Sequence, residues 1–299
     1  MIINFVRYRK IYLVFSGLLI LVSLLSLIRF GLDPGIDFTG GSILELEYEN
    51  NRTSNQETKD NLSGLDLGEI YIQPTGEKGV ILRMKSIDED THQKIIEVLG
   101  NVQEVRFESI GPTIGMELKQ KTATVALFAI LAMVLYITFA FRGVSGPIKS
   151  WRYAIVTLFI ISHDVLVPLG IFAALGNYYG IQITIPVVVA FLTIIGYAIN
   201  NVVVVFDRLR ENLTRRTAVS FEETVDLAIN QTISRQLGTS LTTLFPLLFI
   251  YFIGGETLKY FALALIFGII TGTYSSIFLA SPILVSWLRL GKNKIDKQN

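Results

Sequence analysis

Six apolar stretches, at roughly 11–30, 122–141, 153–175, 183–206, 240–258 and 261–288, run through this 299-residue chain. Each is about 20 residues long, the length at which a helix rising about 1.5 Å per residue crosses a hydrocarbon core of about 30 Å. The charges between them alternate. Fifteen Lys and Arg residues fall in 1–10, 142–152, 207–239 and 289–299, whereas the short connections 176–182 and 254–260 hold only Lys259. Basic loops resist translocation, so this pattern predicts six membrane spans with both termini cytoplasmic. The predicted parts are a cytoplasmic N-terminus and first span (1–30), an extracytoplasmic domain with linkers (31–121), a five-helix bundle (122–288) and a basic cytoplasmic tail (289–299).

Composition agrees: hydrophobic residues make up 51% and charged residues 17%, apolar-rich against soluble domains. The net charge of +1 averages opposites, because 31–121 carries 17 acids against 9 bases. That acidic surface reads as a solvated face, or as one that selects basic segments of a partner. With no cysteine, disulfides, thiol nucleophiles and thiolate metal sites are excluded. The first apolar run is longer than a signal-peptide core and no small-residue cleavage site precedes Asp33, so it reads as a retained helix. Tyr8, Trp151, Tyr178, Tyr179 and Trp287 stand near span ends, where amphipathic rings prefer the interface.

Within 31–121 the pattern alternates between strands and helices. Residues 42–48 alternate apolar and polar as a half-buried strand does, 54–63 suit a surface helix with Ser54 as N-cap, and 68–73 and 79–85 read as strands around a P-T-G-E-K-G turn. Asp88 to Leu99 has helical spacing with Gly100 as its stop, and 102–109 alternates again. The order β-α-β-β-α-β is that of a ferredoxin-like α+β unit. His92 is placed on the polar side of its helix, as a solvated surface histidine.

Polar groups inside the spans carry the chemistry, since charge in hydrocarbon is costly. His163 and Asp164 lie about halfway along the third span. They suit either a proton or ion relay or a structural bond between helices. Asn200 and Asn201, in the fourth span, suit helix packing or a polar path. Asp207, Arg208, Arg210 and Glu211 form a cytoplasmic boundary, with Asp207 sharing a helix face with Arg210 and Glu211. Residues 221–235 read as an amphipathic helix on the membrane surface, ending at Arg235, which can reach inward. In the sixth span Gly268, Gly272, Ser275 and Ser276 belong to a small-residue face that suits close helix packing.

Several strings occur together and in order: D-P-G-I-D-F-T-G-G (33–41), E-S-I-G-P-T-I-G-M-E-L (108–118), H-D-V-L (163–166), I-I-G-Y-A-I-N (194–200), V-V-V-F-D-R-L-R-E-N-L (203–213), I-N-Q-T-I-S-R (229–235), S-L-T-T-L (240–244), G-G-E-T-L (254–258) and G-T-Y-S-S-I-F-L-A-S-P (272–282). The chain resembles the SecD/SecF family of the bacterial Sec export machinery, within the resistance-nodulation-division superfamily. The resemblance implies an inner-membrane subunit that pairs with SecD and contacts the SecYEG channel, YajC and emerging preproteins. It further implies use of a proton or sodium gradient in late export. Gly35, Asp37, Phe38, Thr39, Gly40 and Gly41 correspond to the family motif at the start of the domain. One departure stands out. The family pattern G-Y-S-[IL]-N-D reads here with Ala198 for Ser and Asn201 for Asp, while the basic residue, Arg235, is kept. The resemblance therefore leaves three readings: Asp164 carries the relay, the carboxylates of SecD alone carry it, or ion coupling in this chain is weaker.

Two other readings compete: a small-molecule exporter of the same superfamily and a membrane scaffold without ion flux. The single domain of about 90 residues argues against the exporter, which usually carries two large insertions. No nucleotide loop, metal-ligand cluster or nucleophile string occurs in the sequence, so neither an enzyme nor a cofactor is expected.

Overall fold

The computed structural model describes residues 3–50, 52–140 and 150–295. The basic positions Arg142, Lys149 and Lys297 lie outside them. Two compact units form: one of Met1–Leu32, Ala126–Ile181 and Pro186–Asn299, the other of Asp33–Val125 with Gln182–Ile185.

The smaller unit opens with a helical turn, α2 (Ile36–Thr39), which follows the first long helix, α1 (Arg9–Phe30). Then come β1 (Gly41–Tyr48), α3 (Asn55–Asn61), β2 (Tyr71–Thr75), β3 (Gly79–Met84), α4 (Glu89–Leu99) and β4 (Val102–Ile110). The sheet order is β2-β3-β1-β4, all antiparallel, which is the ferredoxin-like arrangement read from the sequence. Alternation decides its two faces: Leu44, Leu46, Val80 and Leu82 point toward the helices and pack with Leu62, Leu67 and Ile95, while Ile43 and Ile81 pack with Ile36 on the other face. Both predicted helix signals hold, since Ser54 accepts the Glu57 N–H and Gly100 at φ +72° closes α4 by bonding Ile96 O.

Two expectations for this unit need correction. Strand β2 begins at Tyr71 and continues through Pro74 and Thr75 rather than ending at 73. It is an edge strand, where a proline's missing N–H can face outward. His92 is not a solvated surface residue: it is 4% exposed, because its ring stacks on Phe107 of β4, centroids 3.9 Å apart and 6° from parallel. Its Nδ1 lies 3.2 Å from Glu89 and its Nε2 3.1 Å from Glu104.

The larger unit is helical. Six helices are long and apolar enough to cross a membrane: Val6–Phe30, Pro112–Tyr136, Trp151–Tyr179, Ile185–Arg215, Phe221–Ile253 and Leu258–Arg289. They belong to α1, α5 (Pro112–Ala140), α6 (Ser150–Tyr179), α7 (Ile185–Arg215), α8 (Phe221–Ile253) and a composite last helix. That last helix runs as α9 (Glu256–Ser275), a π-helical turn at Ser276–Ala280, and α10 (Ser281–Ile295). α1 packs on α6, α9 packs on both α6 and α8, and one core joins Val156 and Ile160 to Ile199, Val202, Ile229 and Ile277.

A separate surface helix at 221–235 does not form. α8 runs unbroken from Phe221, where Ser220 and Glu223 make a reciprocal capping box. Val225, Ala228 and Ile229 are fully buried, so the apolar stripe taken for a membrane-surface face is a core face.

Candidate functional site

The family motif at the start of the smaller unit is a close-packed junction of backbone. Gly40 and Gly41 have φ of +72° and +135°, conformations costly for any residue with a Cβ. A Cβ on Gly40 would lie 2.8 Å from Pro112 Cα, and one on Gly41 2.8 Å from Met84 O. Gly35 N–H donates to Ile183 O at 2.8 Å, and Ile183 N–H to Asp33 O at 2.7 Å. Asp37 Oδ2 accepts the N–H of Ile185, the first residue of α7, at 2.8 Å. Thr39 Oγ1 donates to Gly35 O, and Phe38 is half-buried. These residues tie the chain entering the sheet to the starts of α5 and α7.

Inside the bundle the centre is Asp164. Both it and His163 are fully buried. His163 Nδ1 stands 2.8 Å from Asp164 Oδ1, and Ser275 Oγ donates to Asp164 Oδ2 at 2.7 Å. Each carboxylate oxygen is therefore met, the condition under which burying an acid is tolerable. Of the two α9 glycines, Gly268 faces Ile194 of α7 too closely for any side chain, while Gly272 faces Asp164 of α6 at ordinary contact distances. A Cβ on Gly272 would lie 3.5 Å from Asp164 Oδ2 and 3.9 Å from Ala198 Cα, while one on Gly268 would fall 2.1 Å from Ile194.

Hydroxyls and an amide extend the polar seam toward α7 and α8. Tyr197 Oη and Ser240 Oγ are 2.9 Å apart, and Ser240 and Thr273 hydroxyls 2.6 Å apart. Ser276 Oγ donates to Gln236 Oε1 at 2.6 Å. Ser276 opens the π-helical turn, a feature frequent at functional sites. Tyr274 Oη lies 3.0 Å from Ser16 Oγ. Three buried atoms along this region, His163 Nε2, Asn201 Nδ2 and Ser281 Oγ, have no hydrogen-bond partner among the described residues.

The structure brings together Asp164, His163, Ser275 and Gly272, and places Ser276 in the adjoining seam. It separates the two asparagines: Asn201 is buried, whereas Asn200 is exposed. Arg235 does not reach inward, since it lies on the exposed face of α8. Arg208 pairs with Glu211 and donates to Gln231 Oε1 at 2.7 Å, while Asp207 and Arg210 are exposed. Sequence reasoning missed Gln236, Tyr197, Ser240 and Thr273. The signal was a polar run, Gln236 to Thr243, inside a stretch apolar enough to span.

Comparison with known proteins decides the family. The family described as "Protein export membrane protein SecD/SecF, C-terminal" matches residues 91–290, and "SecD/SecF GG Motif" matches residues 25–51. The chain is 40% identical to a protein named "Protein translocase subunit SecF" from Thermobaculum terrenum, covering 95% of this chain and 94% of that relative. This chain belongs to the SecF family of protein translocase subunits. A SecF of Vibrio alginolyticus is 32% identical, covering 98% and 91%. SecDF of Thermus thermophilus, described as a translocon-associated membrane protein, superposes with a TM-score of 0.83 at 30% identity. The match covers 97% of this chain and 39% of that longer one. The glycines at 40 and 41, inside the matched GG segment, are those whose φ angles and close contacts require glycine.

Proposed function

We propose that this SecF-family chain pairs with a SecD-type chain and uses a transmembrane proton or sodium gradient to promote late steps of preprotein export. In this reading both termini lie in the cytoplasmic compartment, the Asp33–Val125 domain lies outside, and the assembly works beside the SecYEG channel with YajC. The observation that carries the pairing is an exposed cation on a membrane-crossing helix. Arg235 lies within the Phe221–Ile253 span, is exposed and has no ion-pair partner among the described residues. Arg235 stands just before the apolar stretch that begins at about residue 240, and an unpaired guanidinium at the edge of the hydrocarbon is costly, so a protein partner with an acidic group on this face is the favourable solution. Asn200, on α7, is likewise a polar group exposed within a span. The threonines beside Arg235 need no partner, since Thr239 and Thr243 donate to backbone carbonyls of their own helix.

Asp164 is the chain's own candidate for ion coupling. It is buried, it is bonded through groups that can exchange protons, and it adjoins a helix with a π-helical turn. Depletion of the protein should slow late release of exported proteins and leave drug sensitivity unchanged. Normal release kinetics with accumulation of a small toxic compound would favour an exporter instead.

A further inference from the structure

We propose that the end of the bundle marked by Trp151 and Trp287 is a binding site for the headgroup of an anionic phospholipid, with Arg152 as the phosphate ligand. The Arg152 guanidinium carbon lies 5.6 Å from the Trp151 ring centroid and 5.7 Å from that of Trp287. The two indoles meet edge to face, 5.4 Å apart at 85°. One membrane-spanning segment begins at Trp151 and another ends at Arg289. The cluster therefore sits where two spans reach the same surface, the level that indole rings favour and lipid headgroups occupy.

The charge balance there favours an anion. Two residues past Trp287, Arg289 Nε donates to Glu222 Oε1 at 3.0 Å, so that cation is neutralised within the chain. Arg152 has no ion pair among the described residues, and its Nε is buried without a hydrogen-bond partner. The indole faces hold the guanidinium through cation–π attraction but supply no hydrogen-bond acceptor. A guanidinium's planar set of donors suits a phosphodiester, and anionic leaflets draw basic residues to this depth. A plain interfacial anchor would have the same rings and no headgroup preference.

The chain's two tryptophans are both in this cluster, so its intrinsic indole fluorescence reports on the site alone. The full chain is reconstituted in phosphatidylcholine vesicles containing a minor share of phosphatidylglycerol brominated on its acyl chains, and in mirror vesicles with the phosphatidylcholine brominated. Quenching by phosphatidylglycerol should exceed its mole fraction by about fivefold in local preference, equivalent to about 1 kcal/mol. Arg152→Gln should abolish that excess, and Arg289→Gln should keep it. Quenching that follows bulk composition in the unaltered chain overturns the proposal, with no variant required. Relief of quenching by millimolar inorganic phosphate would reveal a free-anion site and overturn the lipid assignment. Loss of preference in Arg289→Gln alone would likewise overturn the assignment to Arg152.

Discussion

Replacing Asp164 by asparagine separates titration from structure, because the hydrogen bonds around it accept an amide. In the native site Asp164 Oδ1 faces His163 Nδ1 at 2.8 Å and Oδ2 receives the Ser275 hydroxyl at 2.7 Å. An asparagine can keep its carbonyl toward His163 and turn its NH₂ toward Ser275. Ser275 then accepts that bond and sends its own proton to Gly272 O, already 3.1 Å away. Every contact is remade, so Asp164→Asn should cost less than about 1 kcal/mol, within the range of a single exchanged hydrogen bond. Asp164→Ala strands His163 Nδ1 beside an Nε2 that already has no partner and opens a void. Breaking a buried pair in this way costs about 3–5 kcal/mol. Two measurements on the chain assembled with SecD decide the matter: the melting temperature in detergent, and gradient-stimulated preprotein release in membrane vesicles. The expected result is an Asn variant that melts close to the native chain but loses the gradient-dependent share of release. The Ala variant should lose both. If Asn melts as low as Ala, the bonding argument is wrong. If Asn melts normally and retains full gradient stimulation, Asp164 is not the coupling group.

Gly268→Ala should destabilise the bundle by about 1–3 kcal/mol, the usual cost of overpacking, because its Cβ would fall 2.1 Å from the buried Ile194. Adding Ile194→Ala should recover part of the loss in a melting experiment, and no recovery would show that the clash is not with that side chain. Gly272→Ala, with its nearest contact at 3.5 Å, should melt near the native value. In the smaller unit, the Glu89 carboxyl is held below the usual carboxylate range, chiefly by the bond from Gln93 and then by His92. A depressed folded value means its stabilisation is complete above the unfolded pKa of about 4.3 and disappears as pH falls through the folded value. Hydrogen exchange on the full chain should thus show α4 protection declining below about pH 4, with a shallower decline in Glu89→Gln. Identical pH profiles would rule out this linkage.

The spans were legible because length and charge alternation act on whole segments and tolerate local exceptions. The ferredoxin-like order was legible for the same reason, and single caps such as Ser54 and Gly100 announced themselves through residue type. What escaped the sequence depended on neighbours distant in the chain. His92 looks solvated on a helical wheel, and only the return of Phe107 on β4 buries it. The apolar face of 221–235 looks like a membrane-surface stripe until Val225, Ala228 and Ile229 are seen to join the bundle core. Pro74 reads as a turn unless its strand is known to lie at the sheet edge. At the site, the buried carboxylate stood out by its rarity, but serine and threonine are common in packed helices. Nothing local singled out Ser275 as the residue aimed at Asp164.

The sequence's relay candidates, Asp164, His163, Asn201 and Arg235, do not share one environment. Asp164, His163 and Ser275 are enclosed between α6 and α9, with Gln236 and Ser276 in the adjoining seam. Arg235 and Asn200 look outward from α8 and α7. This division gives a physical reason to expect a neutral side chain at 201. Asn201 is 2% exposed and its Nδ2 is already unpartnered, whereas Arg235 stands on an outer face. A carboxylate at 201 would then need neutralising by a cation that the chain holds elsewhere, and an uncompensated buried charge is strongly unfavourable. An amide carries a smaller penalty. The exposed guanidinium is then left for an acidic group on whatever chain covers that face. In the proposed assembly ion coupling would divide between Asp164 within this chain and a carboxylate contributed across the interface, and Asp164→Asn here and the matching neutral substitution in the partner would separate the two.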